Sequence, residues 1–466
     1  RSELEAPGVY RIVRDASGAP LLLSQAQSVA VNVAIAQGTV VGVALYPQVI
    51  REYPDGALAA QTLGFVRASD GEGQYGVEQI ENTALAGRPG VIYTAVDAQG
   101  NPIATAPQRQ TPAVPGATVT LTLDANVQYW AEQGLAQAIQ QTGADGGTVL
   151  VMDPATGAIL AMANQPTFDP NDYAAASLAD LNNPAMSAVY DPGSTMKAIT
   201  MAAGVQNGLI APDTTFLDTG STVVDGVTIS NFDHHGHGVE TMTQVLQYSA
   251  NVGAIWVAQR VGATLYYRNL AAFGFGQPTG VSLPNEVAGL LTRPSAPGEA
   301  ALTLAENSFG ESIGVTPLQM VSAYAALANG GLLMRPYVVA SVTAANGATT
   351  RYGPHVIRRA VSQATAQTVT QMLVDSSQVS EAEMWRVNGY RVAAKTGTST
   401  PDPADPTFTY ASVLGYAPAS HPRFVLLVKL DHPHDSIFGG AAAGPVWRAL
   451  AEQLFTYYRI PPDRAN

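Results

Sequence analysis

Ser194 and Lys197 stand three residues apart, Ser249 and Asn251 two apart, and Lys395, Thr396, Gly397 and Thr398 run in succession towards the C-terminal end. A serine hydroxyl is a poor nucleophile until a nearby base takes its proton. On a helix, residues i and i+3 share a face, so the Lys197 amine can reach the Ser194 hydroxyl. A lysine that is desolvated and faces a second cation holds its proton weakly enough to be that base, and Lys395 can supply the second cation. The turn Asp191-Pro192-Gly193 sets Ser194 at the start of a helix through Met201 to Val205, whose N-terminal N–H groups face developing negative charge.

The other two spacings supply what such a nucleophile needs. On an extended loop Ser249 and Asn251 face the same way: the hydroxyl can relay a proton to a leaving amine and the amide can hold a substrate peptide group. Lys395 to Thr398 follow a strand, Gly397 leaves room for a substrate on the strand edge, and Thr396 and Thr398 can bind a carboxylate. The Thr398 and Ser194 N–H groups can share an oxyanion. Taken singly, S-x-x-K occurs by chance, S-x-N is by default a cap or turn, and K-T-G a strand-end turn. Lysine usage separates these readings. Only three of the 23 basic residues are lysine, and two of the three, Lys197 and Lys395, fall in these motifs. Arginine serves elsewhere, so a retained lysine marks work arginine cannot do, such as giving up a proton. The third, Lys429, reads as a strand-end charge next to Asp431.

Composition removes other classes. At 466 residues the chain is long enough for two domains. A net charge of −13 argues against a nucleic-acid surface. The absence of cysteine excludes disulfides, thiolate metal sites and a cysteine nucleophile. No apolar run reaches the roughly 18 to 20 residues of a membrane span; the run Val29 to Ala36 reads as a strand. Asp233-His234-His235-Gly236-His237 and the pair His432 and His434 read as solvated loops, so no metal and no cofactor is expected.

These residues need a scaffold. Residues 1–118 hold short apolar runs broken by Gly and Pro, among them Gly90 to Ala95, and the Pro-rich stretch Gln108 to Thr118 reads as a linker. Beyond it, Val119 to Leu123 is a strand, and Asp124 caps a helix with Val127, Ala131 and Leu135 on one face, ending near Gly143. Thr148 to Met152 and Ala158 to Ala163 flank a turn as a hairpin. Arg391 to Ala394, Tyr410 to Tyr416 and Phe424 to Leu430 are three further strands, followed by a helix with Val446, Leu450 and Leu454 on one face. The expected fold is α+β: an antiparallel sheet closed by the first and last helices.

The three motifs in this order resemble those of penicillin-binding proteins and class A β-lactamases, and the wider sequence resembles the class B penicillin-binding proteins. Asp191-Pro192-Gly193-Ser194-Thr195-Met196-Lys197 is similar to the family's E-P-G-S-T-x-K, with Asp for Glu. Phe273-Gly274-Phe275-Gly276, Thr279-Gly280 and Leu283-Pro284-Asn285-Glu286 are similar to its G-F-G…T-G…L-P-x-E stretch. Val315-Thr316-Pro317-Leu318-Gln319 and Phe438-Gly439-Gly440 are further landmarks, and Arg51-Glu52-Tyr53-Pro54 and Gly76-Val77-Glu78 resemble R-x-Y-P and G-x-E of the pedestal domain. The family's opening box is degraded to Arg11 through Gly18, and Ala393-Ala394 replaces the usual A-G.

The resemblance implies a mostly β pedestal with its linker over residues 1–118 and a transpeptidase domain of penicillin-binding, β-lactamase-like fold over 119–466. It implies an N-terminal membrane anchor absent from this chain, with the catalytic domain extracytoplasmic. The implied reaction is D,D-transpeptidation of the D-Ala-D-Ala stem peptide of peptidoglycan, with an amine acceptor and β-lactams as inhibitors. A membrane glycosyltransferase and other cell-wall synthesis proteins are the implied partners, and the S-x-N and L-P-x-E regions point to the division branch. Ser194, Lys197, Ser249 and Lys395 would be catalytic, and Asn251, Thr396, Gly397 and Thr398 substrate-binding. The alternatives are a D,D-carboxypeptidase or β-lactamase on the same scaffold, and a β-lactam sensor or divisome scaffold without turnover. No motif for a deacylating base is evident, which disfavours the β-lactamase.

Overall fold

The computed structural model describes residues 25–43, 51–95, 105–291, 300–378, 383–400 and 404–463, with a few isolated positions besides. Arg11 through Gly18 lies outside these ranges, and of its residues only Val13 is described. Asp124 accepts from the backbone N–H of Asn126 and Val127 and starts helix α1 (Ala125–Thr142), which Gly143 ends in the left-handed region at φ +66°. Strands β1 (Gly146–Met152) and β2 (Ile159–Gln165) form the expected hairpin. The nucleophile's helix, α2 (Lys197–Gln206), and α3 (Asn251–Val261) belong to the long helical middle. Strands β3 (Ala393–Ser399), β4 (Tyr410–Ala417) and β5 (Phe424–Asp431) precede the last helix, α4 (Gly439–Tyr457).

These five strands make one antiparallel sheet in the order β3-β4-β5-β1-β2. Successive side chains leave a strand on opposite faces. Val149 and Val151 therefore join Val127, Leu135, Trp447 and Leu450 between the sheet and helices α1 and α4. Leu150 and Met152 join Ile199, Tyr324 and Leu373 on the other face. A sheet covered on both sides reads as unbroken apolar runs, which is why β1 and β5 are legible in the sequence.

Three expectations change. Val29 to Ala36 is not a strand but part of a helix, Gln25–Ala36, with Val29 and Val33 exposed. Its Val/Ile alternation mimics a strand. No described strand pairs with it, and a helix satisfies its own backbone groups where a lone strand cannot. Gln108 to Thr118 is not a bare linker. Arg109–Thr111 pairs with Val91–Tyr93, Arg88 bridges Val114, and Thr118–Leu121 already pairs with Val339–Thr343. The K-T-G-T residues lie inside β3 rather than after it, because the strand runs on to Ser399.

The N-terminal part is built onto the rest. Arg51 grips Glu78 through both carboxylate oxygens at 2.8 and 3.0 Å, and Tyr53 Oη donates to Glu78 at 3.3 Å, so the two pedestal landmarks are one cluster. Tyr53 N–H donates to Asn171 and Ala59 N–H to Glu132, while Gln61 Nε2 donates to the Pro166 carbonyl. Phe65 packs with Phe168 and Leu181.

Candidate active site

Ser194 sits in a single 3-10 turn, Gly193–Met196, that leads directly into α2. The turn is fixed from several sides. Thr195 Oγ1 donates to the Pro192 carbonyl, Tyr324 Oη donates to the Thr195 carbonyl, and Gly193 N–H donates to the Gly310 carbonyl. Gly193 has φ +54°, and a Cβ there would stand 2.6 Å from the Thr398 carbonyl oxygen, so the nucleophile's turn presses on the K-T-G-T strand at backbone distance.

Lys197 is wholly buried. Its Nζ lies 2.9 Å from Ser194 Oγ, 3.3 Å from Ser249 Oγ and 2.7 Å from Asn251 Oδ1, and it also reaches the Ser249 carbonyl. Ser249 Oγ donates to Ser194 Oγ at 2.8 Å. The sequence places Ser249 and Asn251 on an extended loop; the chain instead turns between two helices. Ser249 takes φ +55°, and Asn251 is the first residue of α3. The αL kink aims both side chains at one ammonium, with Asn251 Nδ2 donating to the Ser230 carbonyl.

Alternation along β3 buries Lys395, Gly397 and Ser399 and leaves Thr396 and Thr398 half-exposed. Lys395 Nζ lies 3.2 Å from Thr396 Oγ1. Gly397 does not simply leave room for a substrate. A Cβ there would stand 2.5 Å from Ser412 Oγ and 2.7 Å from the Pro192 carbonyl oxygen, so the glycine lets the nucleophile's turn dock on the strand. Thr398 Oγ1 accepts from Gly439 N–H at 3.0 Å, which ties the start of α4 to the motif. Phe438, next to Gly439, meets Phe232 edge to face at 5.1 Å, with both rings exposed.

Burial, then the charge of Lys395, pulls the Lys197 ammonium well below its ordinary range. Three acids lie in this region: Asp191 of the nucleophile's turn, and Glu240 and Glu311, for which the sequence carries no site signal. Burial pushes Asp191 up to about 6, and Glu240 and Glu311 up to about 7. Both Glu240 carboxylate oxygens are buried without a hydrogen-bond partner among the described residues. Glu240 and Glu311 each act electrostatically on Lys197. A carboxyl whose pKa is raised on folding stabilises the fold below its unfolded pKa, near 4, and loses that contribution as pH rises through the folded value. The unfolding free energy is therefore expected to fall between about pH 4 and pH 7. Glu240→Gln should flatten the decline, as read by melting temperature across that range; an unchanged slope would remove Glu240 from the account.

Lys429 departs from its reading as a strand-end charge. It is buried, paired with Asp431, and its ammonium lies 5.0 and 4.8 Å from the rings of Tyr190 and Tyr410. Tyr190 immediately precedes Asp191, so the third lysine props the turn that carries Ser194. The remaining landmarks hold loops. Glu286 accepts from the N–H groups of Thr279 and Gly280, and Thr316 and Gln319 form a capping box. Among the described residues, no helix is long and apolar enough to cross a membrane.

The model of the penicillin binding protein transpeptidase domain matches residues 147–452, and that of the penicillin-binding protein dimerisation domain matches residues 22–121. The chain is 35% identical over 444 residues to penicillin-binding protein PbpB of Mycobacterium tuberculosis, covering 90% of this chain and 65% of that protein, so it spans just under two thirds of that relative. It is 29% identical to peptidoglycan D,D-transpeptidase FtsI of Escherichia coli, covering 91% of this chain and 70% of that one. The crystal structure of penicillin binding protein 3 from Mycobacterium tuberculosis complexed with ampicillin superposes with a TM-score of 0.77 at 34% identity, covering 89% of this chain and 91% of that one. With its dimerisation domain ahead of a transpeptidase domain, the chain belongs to the class B penicillin-binding proteins.

Proposed function

We propose that this chain is the extracytoplasmic part of a peptidoglycan D,D-transpeptidase of the division type, with residues 1–118 as pedestal and 119–466 as catalytic domain. The observation that carries the reading is Ser194 Oγ held 2.9 Å from Lys197 Nζ and 2.8 Å from Ser249 Oγ. With Lys197 neutral, the Ser194 O–H donates to it, and Oγ attacks the carbonyl carbon of the penultimate D-Ala as the proton passes to Nζ. The oxyanion lies between the N–H groups of Ser194 and Thr398. Ser249 relays a proton from Lys197 to the departing D-Ala nitrogen, the peptide C–N bond breaks, and an ester on Ser194 remains. An amine of a neighbouring stem then attacks the ester, loses its proton to the Lys197 and Ser249 pair, and returns Ser194 to its hydroxyl form. Asn251, Thr396 and Thr398 line the path of the donor strand, and Lys395 holds its carboxylate. A membrane glycosyltransferase, further cell-wall synthesis proteins and an N-terminal membrane anchor complete the proposal.

Incubation with a labelled penicillin is expected to add one penicillin mass to the intact protein, mapped to Ser194 and persisting for minutes or longer. An unchanged mass, or an adduct on another serine, would overturn the assignment. Release of D-Ala with formation of a new cross-link in the presence of an acceptor amine separates the transferase from a D,D-carboxypeptidase. Complementation by a Ser194 variant would instead indicate a sensor or scaffold.

A further inference from the structure

Away from the nucleophile, the fold joins residues that are far apart in sequence. Asp145 opens the segment before β1, and His432 and His434 follow β5. Asp145 Oδ2 lies 2.8 Å from His432 Nδ1, Asp145 Oδ1 lies 3.7 Å from His434 Nε2, and one ligand atom from each residue falls within 4.8 Å of the others. We propose that Asp145, His432 and His434 form a binding site for a divalent transition-metal ion of the zinc class. Two imidazoles and a carboxylate are the donor set such an ion takes, with a further position open to water. Bonds of about 2.0–2.2 Å from a tetrahedral ion put its donors roughly 3.3–3.6 Å apart, and here one donor atom of each residue already lies within 4.8 Å of the others.

The site is built on rigid parts. Asp145 N–H donates to the Asp431 carbonyl, His432 N–H to the Thr409 carbonyl and His434 N–H to the Thr142 carbonyl, so each ligand's backbone is tied to a regular element or its end. Phe408 stacks on the His432 ring at 4.7 Å, and the two imidazoles stand edge to face at 4.5 Å. His432 adopts φ +50°, which turns the chain sharply enough for both rings to meet one carboxylate. Read in sequence, the histidines look like a solvated loop, because their third partner is 287 residues away. Filled, the site would clamp the end of α1 to the loop that runs on to Phe438 and Gly439. That loop reaches the K-T-G-T strand through the bond from Gly439 N–H to Thr398 Oγ1.

Titration of chelator-treated protein with Zn²⁺ alone tests this, by calorimetry and by melting temperature. The expected result is one ion bound at this site, a raised melting temperature, and at least a tenfold loss of affinity in both Asp145→Asn and His434→Ala. Both residues are largely exposed, so their variants should fold, and a His235→Ala control should leave this binding unchanged. No binding by the wild type, or binding that persists in both variants, would overturn the site. Loss in His235→Ala alone would move the ion to the 233–237 loop and overturn it equally.

Discussion

Lys197→Arg should nearly abolish acylation by penicillin while leaving the protein folded. The substitution keeps a long basic side chain in reach of Ser194 but not the chemistry, since a guanidinium stays protonated at any pH the protein survives. The four oxygens around Nζ are already spaced for a small ammonium: the Ser194, Ser249 and Asn251 side chains and the Ser249 carbonyl. Loss of a general base costs about 10² to 10⁴ in rate, and here the base also activates the nucleophile. Lys395→Arg should be milder, because Lys395 acts as a fixed cation that lowers the proton affinity of Lys197. Acylation rates for both variants, on protein shown to be folded, decide the matter. Equal impairment, or an active Lys197→Arg, would show that Lys197 is not the base. The wild-type rate should also rise with pH through the depressed Lys197 value, a limb that Lys197→Arg should lack.

Gly310→Ala is expected to cost at least about a hundredfold in acylation rate, from a residue that touches no substrate. Gly310 sits at φ +91°, where an L side chain is strained, and its added Cβ would lie 2.1 Å from the Gly193 carbonyl oxygen. Backbone faces that position, so relief requires the nucleophile's turn to move. A displacement of about 1 Å at reacting atoms can cost about 10² in rate. The melting temperature should fall as well, but a general loss of stability would leave the rate of the folded fraction unchanged. A normal rate constant in folded protein would therefore show that the turn yields without moving Ser194.

Much of this architecture is legible in the sequence. Asp124 announces a helix because a carboxylate satisfies orphan N–H groups wherever it precedes an amphipathic run, and the β1 and β5 runs announce a sheet covered on both sides. The S-x-x-K pair is legible because helical spacing alone brings its two side chains together. What stays hidden depends on partners remote in sequence. The alternation of Val29 to Ala36 suits a strand only where another strand waits beside it. The spacing of Ser249 and Asn251 gives the right neighbours but not the αL turn that aims them. Glu240 carries no local mark of burial, since its short strand Gly238–Thr241 is placed by pairing with Thr215–Asp218, more than twenty residues earlier. Gly310 looks like any loop glycine until Gly193 is placed against it.

The burial of all three lysines has a consequence for the enzyme's own safety. Lys197 and Lys395 lie in the cleft and Lys429 between two tyrosine rings, each at most 6% exposed. The chain has no other lysine, so its folded surface presents almost no ε-amine to solvent. In the proposed transpeptidase reaction an ester on Ser194 waits for an amine, and surface lysines on neighbouring copies would compete for it. Guanidinium groups, which stay protonated, give the same positive charge without that nucleophilicity. A surface whose cations are almost all arginine would thus leave the acceptor amine of the proposed reaction with little competition from the protein itself.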